Sequence, residues 1–280
     1  MEPTRADAGA SDQPAGVQGR ARSRWPKPES WAPYLVVLGG SATLGKSVVQ
    51  PFPALVAAAT GLQVLNLGTL NGGPDAYLSD PGVLNLISRA EAAVVQLTGA
   101  ETLSNPYYSV HSRRNDRFLA ARADLRALYP EVDVTEIHFA RHLLHVLAST
   151  DAQRFARVVE ALKTTWIARM QSLLEHLPPR RHLLWLSDAP PPESARSFGP
   201  EPLFIDKDML ETLRPHSGEV IVAVPSATAR SRDAAENPLA EDSGLPGPAA
   251  HREVAEVLAP LIAVTVRRPP LLLRRTISVP

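Results

Sequence analysis

The chain has 280 residues with 29 basic and 29 acidic side chains, so its formal net charge is zero and it lacks the basic field of a dedicated nucleic-acid binder. Cysteine is absent, which excludes a disulfide framework, thiolate metal sites and a cysteine nucleophile. With 44% hydrophobic and 21% charged residues the chain can bury a full core, and its 27 prolines must fall in loops and helix ends.

Residues 1–30 are rich in Ala, Gly, Pro and Ser and hold no apolar run suited to a signal or a membrane span. They read as a disordered tail on a soluble, cytoplasmic protein. A single α/β domain is expected over 31–263. Within it, five short apolar runs closed by Gly, Ser, Asn or Asp read as buried strands: Tyr34–Leu38, Val64–Leu67, Ala93–Leu97, Leu183–Leu186 and Val220–Val224. Three- and four-residue spacing of apolar side chains predicts helices over Phe52–Thr60, Phe118–Leu128, Phe139–Leu147, Phe155–Leu177 and Val254–Ile262. Strands alternating with helices imply a three-layer α/β/α sandwich, a parallel sheet covered on both faces, for which the flavodoxin-like strand order 2-1-3-4-5 is expected. A site then belongs at the carboxyl ends of the strands. Residues 104–150 exceed the usual length of a βα connection and read as a helical insertion capping the site, and Ser187–Pro202 reads as a Pro-rich loop. The basic, Pro-broken residues 264–280 read as a second tail.

The first strand runs into Gly39-Gly40-Ser41-Ala42-Thr43-Leu44-Gly45-Lys46-Ser47. Gly40 to Ser47 satisfies the pattern of a phosphate-binding P-loop, with Lys46 for the terminal phosphates, Ser47 for magnesium and Asp188 as a second metal ligand, which would make the protein a nucleotide-dependent phosphotransferase. A P-loop needs a helix that starts in the loop and runs on, and Gln50-Pro51-Phe52-Pro53 would break it. Alternatively, Ser41 on a sharp turn between strand and helix presents its hydroxyl at the edge of the sheet, the setting of a nucleophile.

Around that serine the chain resembles the SGNH (GDSL-type) hydrolase family, over about Tyr34 to Ile262. Gly40-Ser41-Ala42-Thr43-Leu44-Gly45 resembles the first block, with Gly40 where the family has Asp. Val64-Leu65-Asn66-Leu67-Gly68-Thr69-Leu70-Asn71-Gly72-Gly73 resembles the second, whose glycine donates a backbone N–H to the oxyanion hole; the resemblance implies Gly72, or Gly73, for that role. Val94 to Thr102 resembles the third block, with Glu101 at the position of the oxyanion-hole Asn, which leaves Thr102 or Asn105 as substitute donors. Ala249-Ala250-His251-Arg252-Glu253 resembles the last, with His251 as the general base and Pro248 where its carboxylate partner stands. The whole stretch also looks like an uncharacterised bacterial SGNH-like domain family. The resemblance implies a serine hydrolase or acyltransferase acting on an ester of a small or carbohydrate-like substrate, with Ser41 as nucleophile and no cofactor. A noncatalytic binding protein on the same fold is the alternative from another class.

Two polar clusters remain. Arg113 and Arg114, in the insertion, are expected to offer bidentate donors to an anionic group of the substrate. His138, His142 and His145 share a face if one helix carries all three, yet Phe139, Leu143, Leu144 and Leu147 favour an ordinary amphipathic helix without a metal. Oligomeric state is not encoded in any pattern of the sequence.

Overall fold

The computed structural model describes residues 25–28, 32–46, 48–236 and 244–267. Ser47 and most of both tails lie outside the described residues. Five strands, β1 (Tyr34–Leu38), β2 (Gln63–Asn66), β3 (Ala92–Gln96), β6 (Arg181–Leu186) and β7 (Val220–Ala223), form one sheet in the order β2-β1-β3-β6-β7. All four pairings are parallel, with Val37 opposite both Asn66 and Val94, and Leu184 opposite Gln96 and Ile221. Since the remaining strands belong to the insertion, this is the flavodoxin-like 2-1-3-4-5 order.

The apolar runs are continuous because both faces of the sheet are buried. Leu35 and Val37 point to one side with Val94, Leu184 and Leu186, where α2 (Phe52–Thr60) and α10 (Pro248–Arg267) pack over them. Val36 and Leu38 point to the other with Val95, Leu183 and Trp185, beneath the long α7 (Ala152–Glu175). From α7, Trp166 is fully buried and its indole N–H donates to the Thr98 carbonyl at 2.8 Å, so core packing also fixes the loop after β3. Burial of such a side chain contributes about 1.5–3 kcal/mol.

The insertion departs from its expected all-helical form. Phe118–Ala121 is a strand (β5) paired antiparallel with β4 (Tyr108–Val110), and helix α5 begins only at Ala123, running to Leu128. Phe118 and Ala121 face inward while Leu119 and Ala120 are exposed, and the Arg122 N–H donates to the Tyr107 carbonyl, so hairpin pairing takes the bonds a helix would need. Helix α6 covers Ala140–Thr150, which leaves His138 outside it; His145 stacks on Phe198 with ring centroids 3.8 Å apart. No helix or strand lies between Ser187 and Asp206, in keeping with the Pro-rich loop, and its Glu201–Pro202 peptide is cis.

Trp25, within the stretch read as a tail, is buried: its ring packs on Tyr77 at 5.7 Å and its indole N–H donates to Asp80 at 2.8 Å. No helix among the described residues is long and apolar enough to cross a membrane.

Candidate active site

The turn after β1 is built for a close approach. Helix α1 is a single turn, Ser41–Leu44, closed by Gly45 in the left-handed region at φ 66°, where a Cβ would stand 2.3 Å from Pro51. Chain continuation into α2 starts at Phe52, so the helix that a P-loop requires is interrupted; Lys46 is exposed and stands away from the cleft. The nucleotide-dependent reading therefore loses its phosphate cradle. Gln96, at the end of β3, fixes the turn instead: its Oε1 accepts from the Gly40 N–H at 2.9 Å and from the Thr43 hydroxyl at 3.0 Å. On the other side the Tyr77 hydroxyl accepts from the Gly39 N–H at 2.8 Å and lies within hydrogen-bond distance of the Gly39 and Leu67 carbonyls.

The Asn-x-Gly at the end of β2 buttresses α1. Asn66 donates to the Thr43 carbonyl and accepts from the Gly68 N–H, and Gly68 passes so near α1 that a Cβ would lie 2.2 Å from the Leu44 nitrogen. Beyond it, Asn71 adopts φ 49°, a left-handed conformation that Asn tolerates better than most residues. In that pose its backbone N–H donates to the Ser41 Oγ at 2.9 Å, and its side-chain Oδ1 accepts the Ser41 hydroxyl at 3.0 Å.

Ser41 opens into a cleft of about 940 Å³ at the carboxyl edge of the sheet. Its walls come from the turn after β1, the loops after β2 and β3, the insertion (Asp116, Phe139, Arg141), the Pro-rich loop (Asp188, Glu201) and the segments flanking α9 (Ala227–Glu236) and α10. Charges in the walls partly cancel: Arg141 pairs with Glu201 at 2.7 Å, and Arg230 lies 4.0 Å from Asp188.

The structure does not bring every expected site residue to Ser41. No histidine lines the cleft among the described residues. His251 is 1% exposed, its Nδ1 accepts from the Phe52 N–H at 3.0 Å, and its ring stacks on Phe52. Burial pushes its pKa down to about 4, against the opposing pull of Asp233 and the Pro246 carbonyl, so the ring is neutral at pH 7 and bonded inside the fold. Both candidate oxyanion glycines are already engaged: the Gly72 N–H donates to the Thr69 carbonyl at 3.1 Å and the Gly73 N–H to Asn115 Oδ1 at 2.8 Å. Asn105 is buried in its own turn, donating to the Leu103 carbonyl and accepting from the Tyr107 and Tyr108 N–H groups, and it does not reach the cleft. Thr102 does line the cleft, but its hydroxyl donates to the Gly99 carbonyl at 3.0 Å. Arg113 and Arg114 are exposed and lie outside the lining, because the turn they occupy is held by its backbone on His111 Nδ1; the insertion presents Arg141 to the cleft instead.

Several residues escaped the sequence reading. Gln96 carried a visible signal, a lone amide ending the apolar run Ala-Ala-Val-Val. Asn115, fully buried between the Gly73 N–H and the His111 carbonyl, carried none, since both partners are set by tertiary contact. Asp233 accepts from the Ala249 and Ala250 N–H groups and so caps α10 from a distant helix. Glu101, the residue at the expected amide position, lines the cleft with its Oε2 sealed from solvent and without a hydrogen-bond partner. Burial, reinforced by Glu201, pushes its pKa up to about 8, with a hydrogen bond from its own backbone N–H and then Arg141 pulling the other way, so it is mostly a neutral acid at pH 7.

No curated protein sequence matches the chain. Among solved structures, it is similar to the lipase Lip_vut3 from a goat rumen metagenome, at 13% identity and TM-score 0.41 over 84% of this chain and 99% of that one. It is similar also to phospholipase A1 from Streptomyces albidoflavus NA297, at 14% identity and TM-score 0.40 over 81% and 98% of the two chains. A salicylyl-acyltransferase from a tetracycline biosynthetic pathway matches at 14% identity and TM-score 0.42, over 86% of this chain and 58% of its own. A family model matches residues 8–266, nearly the whole chain, and the chain therefore belongs to the family described as Domain of unknown function (DUF6473).

Proposed function

We propose that the chain is a serine hydrolase or acyltransferase of SGNH type acting on an uncharged ester, with Ser41 as its nucleophile. The observation that carries this reading is the position of Ser41: a rigidly supported strand-to-helix turn sets its hydroxyl at the foot of a large cleft, with the Asn71 N–H donating to the same oxygen. Such a bond favours negative charge on Oγ as the proton leaves. In the reaction Oγ adds to the ester carbonyl carbon, and the alkoxy group departs as an alcohol carrying the proton that Ser41 released. Water or a second hydroxyl then takes the acyl group. An uncharged ester fits the walls because Leu97, Phe139 and Leu186 supply apolar contact, while Arg141 and Arg230 are occupied by Glu201 and Asp188.

We do not assign the base to His251, since a buried ring with a pKa of about 4, bonded to the Phe52 N–H, is both weak and turned to the wrong partner. That same observation, together with the engaged N–H groups of Gly72 and Gly73, favours a second reading in which the fold binds a ligand without turning it over. A fluorophosphonate probe separates the two. Covalent labelling of the wild type that disappears in Ser41→Ala, with the variant's thermal transition unchanged, is expected. A folded wild type that takes no label leaves the binding reading in place of the enzymatic one.

A further inference from the structure

The loop after β3 is tied down by hydrogen bonds within the fold. The Ala100 N–H donates to the Leu203 carbonyl, the Thr102 hydroxyl to Gly99, and the Tyr108 hydroxyl to the Glu101 carbonyl. Glu101 Oε2 is the exception: it is closed off from water, has no partner, and belongs to a side chain that lines the same cleft as Ser41. Leaving a buried polar atom unpaired costs about 1–3 kcal/mol, which is tolerable where a ligand supplies the missing bond.

Charge counting says what kind of bond that is. The charged groups facing Glu101 are Glu201 and Arg141, with the Tyr108 phenol behind it. Arg141 is bound to Glu201 at 2.7 Å, so one guanidinium serves two carboxyl groups and its charge is already matched. A second carboxylate, with one oxygen sealed from water, has no countercharge left and takes up a proton instead, which agrees with its elevated pKa. A neutral carboxyl group is a donor where an ionised one is only an acceptor.

We infer that Glu101 is a catalytic residue that donates its carboxyl O–H as a hydrogen bond to the acyl oxygen of the ester attacked by Ser41. The inference rests on the reading of Ser41 as nucleophile. The loops after β1 and β3 flank one cleft because those strands are neighbours in the sheet, so Ser41 and Glu101 open on the same space. As the Oγ–carbon bond forms, the carbonyl π pair moves onto the acyl oxygen, and the Glu101 hydrogen bond shortens toward the charge that develops. When the pair returns and the alkoxy bond breaks, Glu101 still holds its own proton. It acts as a fixed donor, the part played elsewhere by a neutral carboxylic acid kept protonated by an apolar site.

The test is the rate of fluorophosphonate labelling from pH 6 to 10 in the wild type, Glu101→Gln and Glu101→Ala, with thermal unfolding as the folding control. The wild-type rate is expected to fall as pH rises through about 8, the direction in which the donor is lost. Gln keeps a donor that does not titrate, so Glu101→Gln is expected to label within about tenfold of the wild type and without that fall. Ala removes the donor, and a loss on the order of a hundredfold is expected. Ser41-dependent labelling in which Gln is as slow as Ala, or in which Gln keeps the alkaline fall, overturns the role of Glu101 and leaves Ser41 standing. No labelling of the wild type at any pH overturns the nucleophile and this inference together.

Discussion

At pH 9 the Glu101→Gln protein is expected to be more stable than the wild type by roughly 2–4 kcal/mol, and at pH 4 to hold no such advantage. The sign follows from proton linkage. Glu101 has a folded pKa of about 8, above the 4.5 of an unperturbed Glu, so between those values the folded chain holds a proton that the unfolded chain has released. Its contribution is therefore complete below pH 4.5 and is lost as pH rises to 8, above which a charge must sit beside Glu201 in a largely desolvated site. Gln cannot ionise and escapes that penalty. Urea midpoints at pH 4, 7 and 9 measure it, and wild-type and variant curves that stay parallel across this range would sink the neutral-acid description of Glu101 whatever the protein catalyses.

The second large effect concerns His251. Truncation to Ala is expected to destabilise the fold by about 3 kcal/mol, because it leaves the buried Phe52 N–H without an acceptor and opens a hole beneath the α2–α10 contact. The wild type should also lose stability as pH falls from 6.5 toward 4, since the unfolded imidazole takes up a proton that the folded one refuses. In the variant that acid limb is expected to flatten. Calorimetric transitions between pH 4 and 7 give both quantities, and an Ala variant as stable as the wild type would contradict a role in tying α10 to α2. Glu101 and His251 act in opposite directions between pH 4.5 and 6.5 and largely offset each other there, so the clear net effect of the two sites is a loss of wild-type stability as pH rises from about 6.5 to 8.

How far the sequence could be read follows from where each signal resides. The five sheet strands were legible because burial on both faces leaves apolar runs such as Tyr34–Leu38 that need no partner to be recognised. The tight turn carrying Ser41 was legible because Gly39-Gly40-Ser41 follows such a run directly. The strand at Phe118–Ala121 was not, since its apolar spacing continues smoothly into α5 and only pairing with Tyr108–Val110 decides between them. His251 matched a pattern in position and failed it in environment: its hydrogen-bond partner lies 199 residues away, at the start of α2. Arg113 and Arg114 have the chemistry of anion donors but stand outside the cleft, whereas Arg141 reaches it because α6 starts at Ala140, at the cleft wall. Local chemistry named the turn after β1; the identity of everything around it depended on contacts between segments far apart in the chain.

The burial of Trp25 bears on where this domain can be cut. A fragment begun at Tyr34 would retain all five strands, yet it would strip the indole from Tyr77, whose hydroxyl ties Gly39 to the end of β2. The turn that carries Ser41 would then rest on a phenol newly exposed to solvent on one side. Asp80, which caps α4 (Pro81–Ser88) through the Gly82 and Val83 N–H groups, would lose its indole donor at the same stroke. For practical purposes a working fragment has to include Trp25, a core residue of which the composition around it gives no hint.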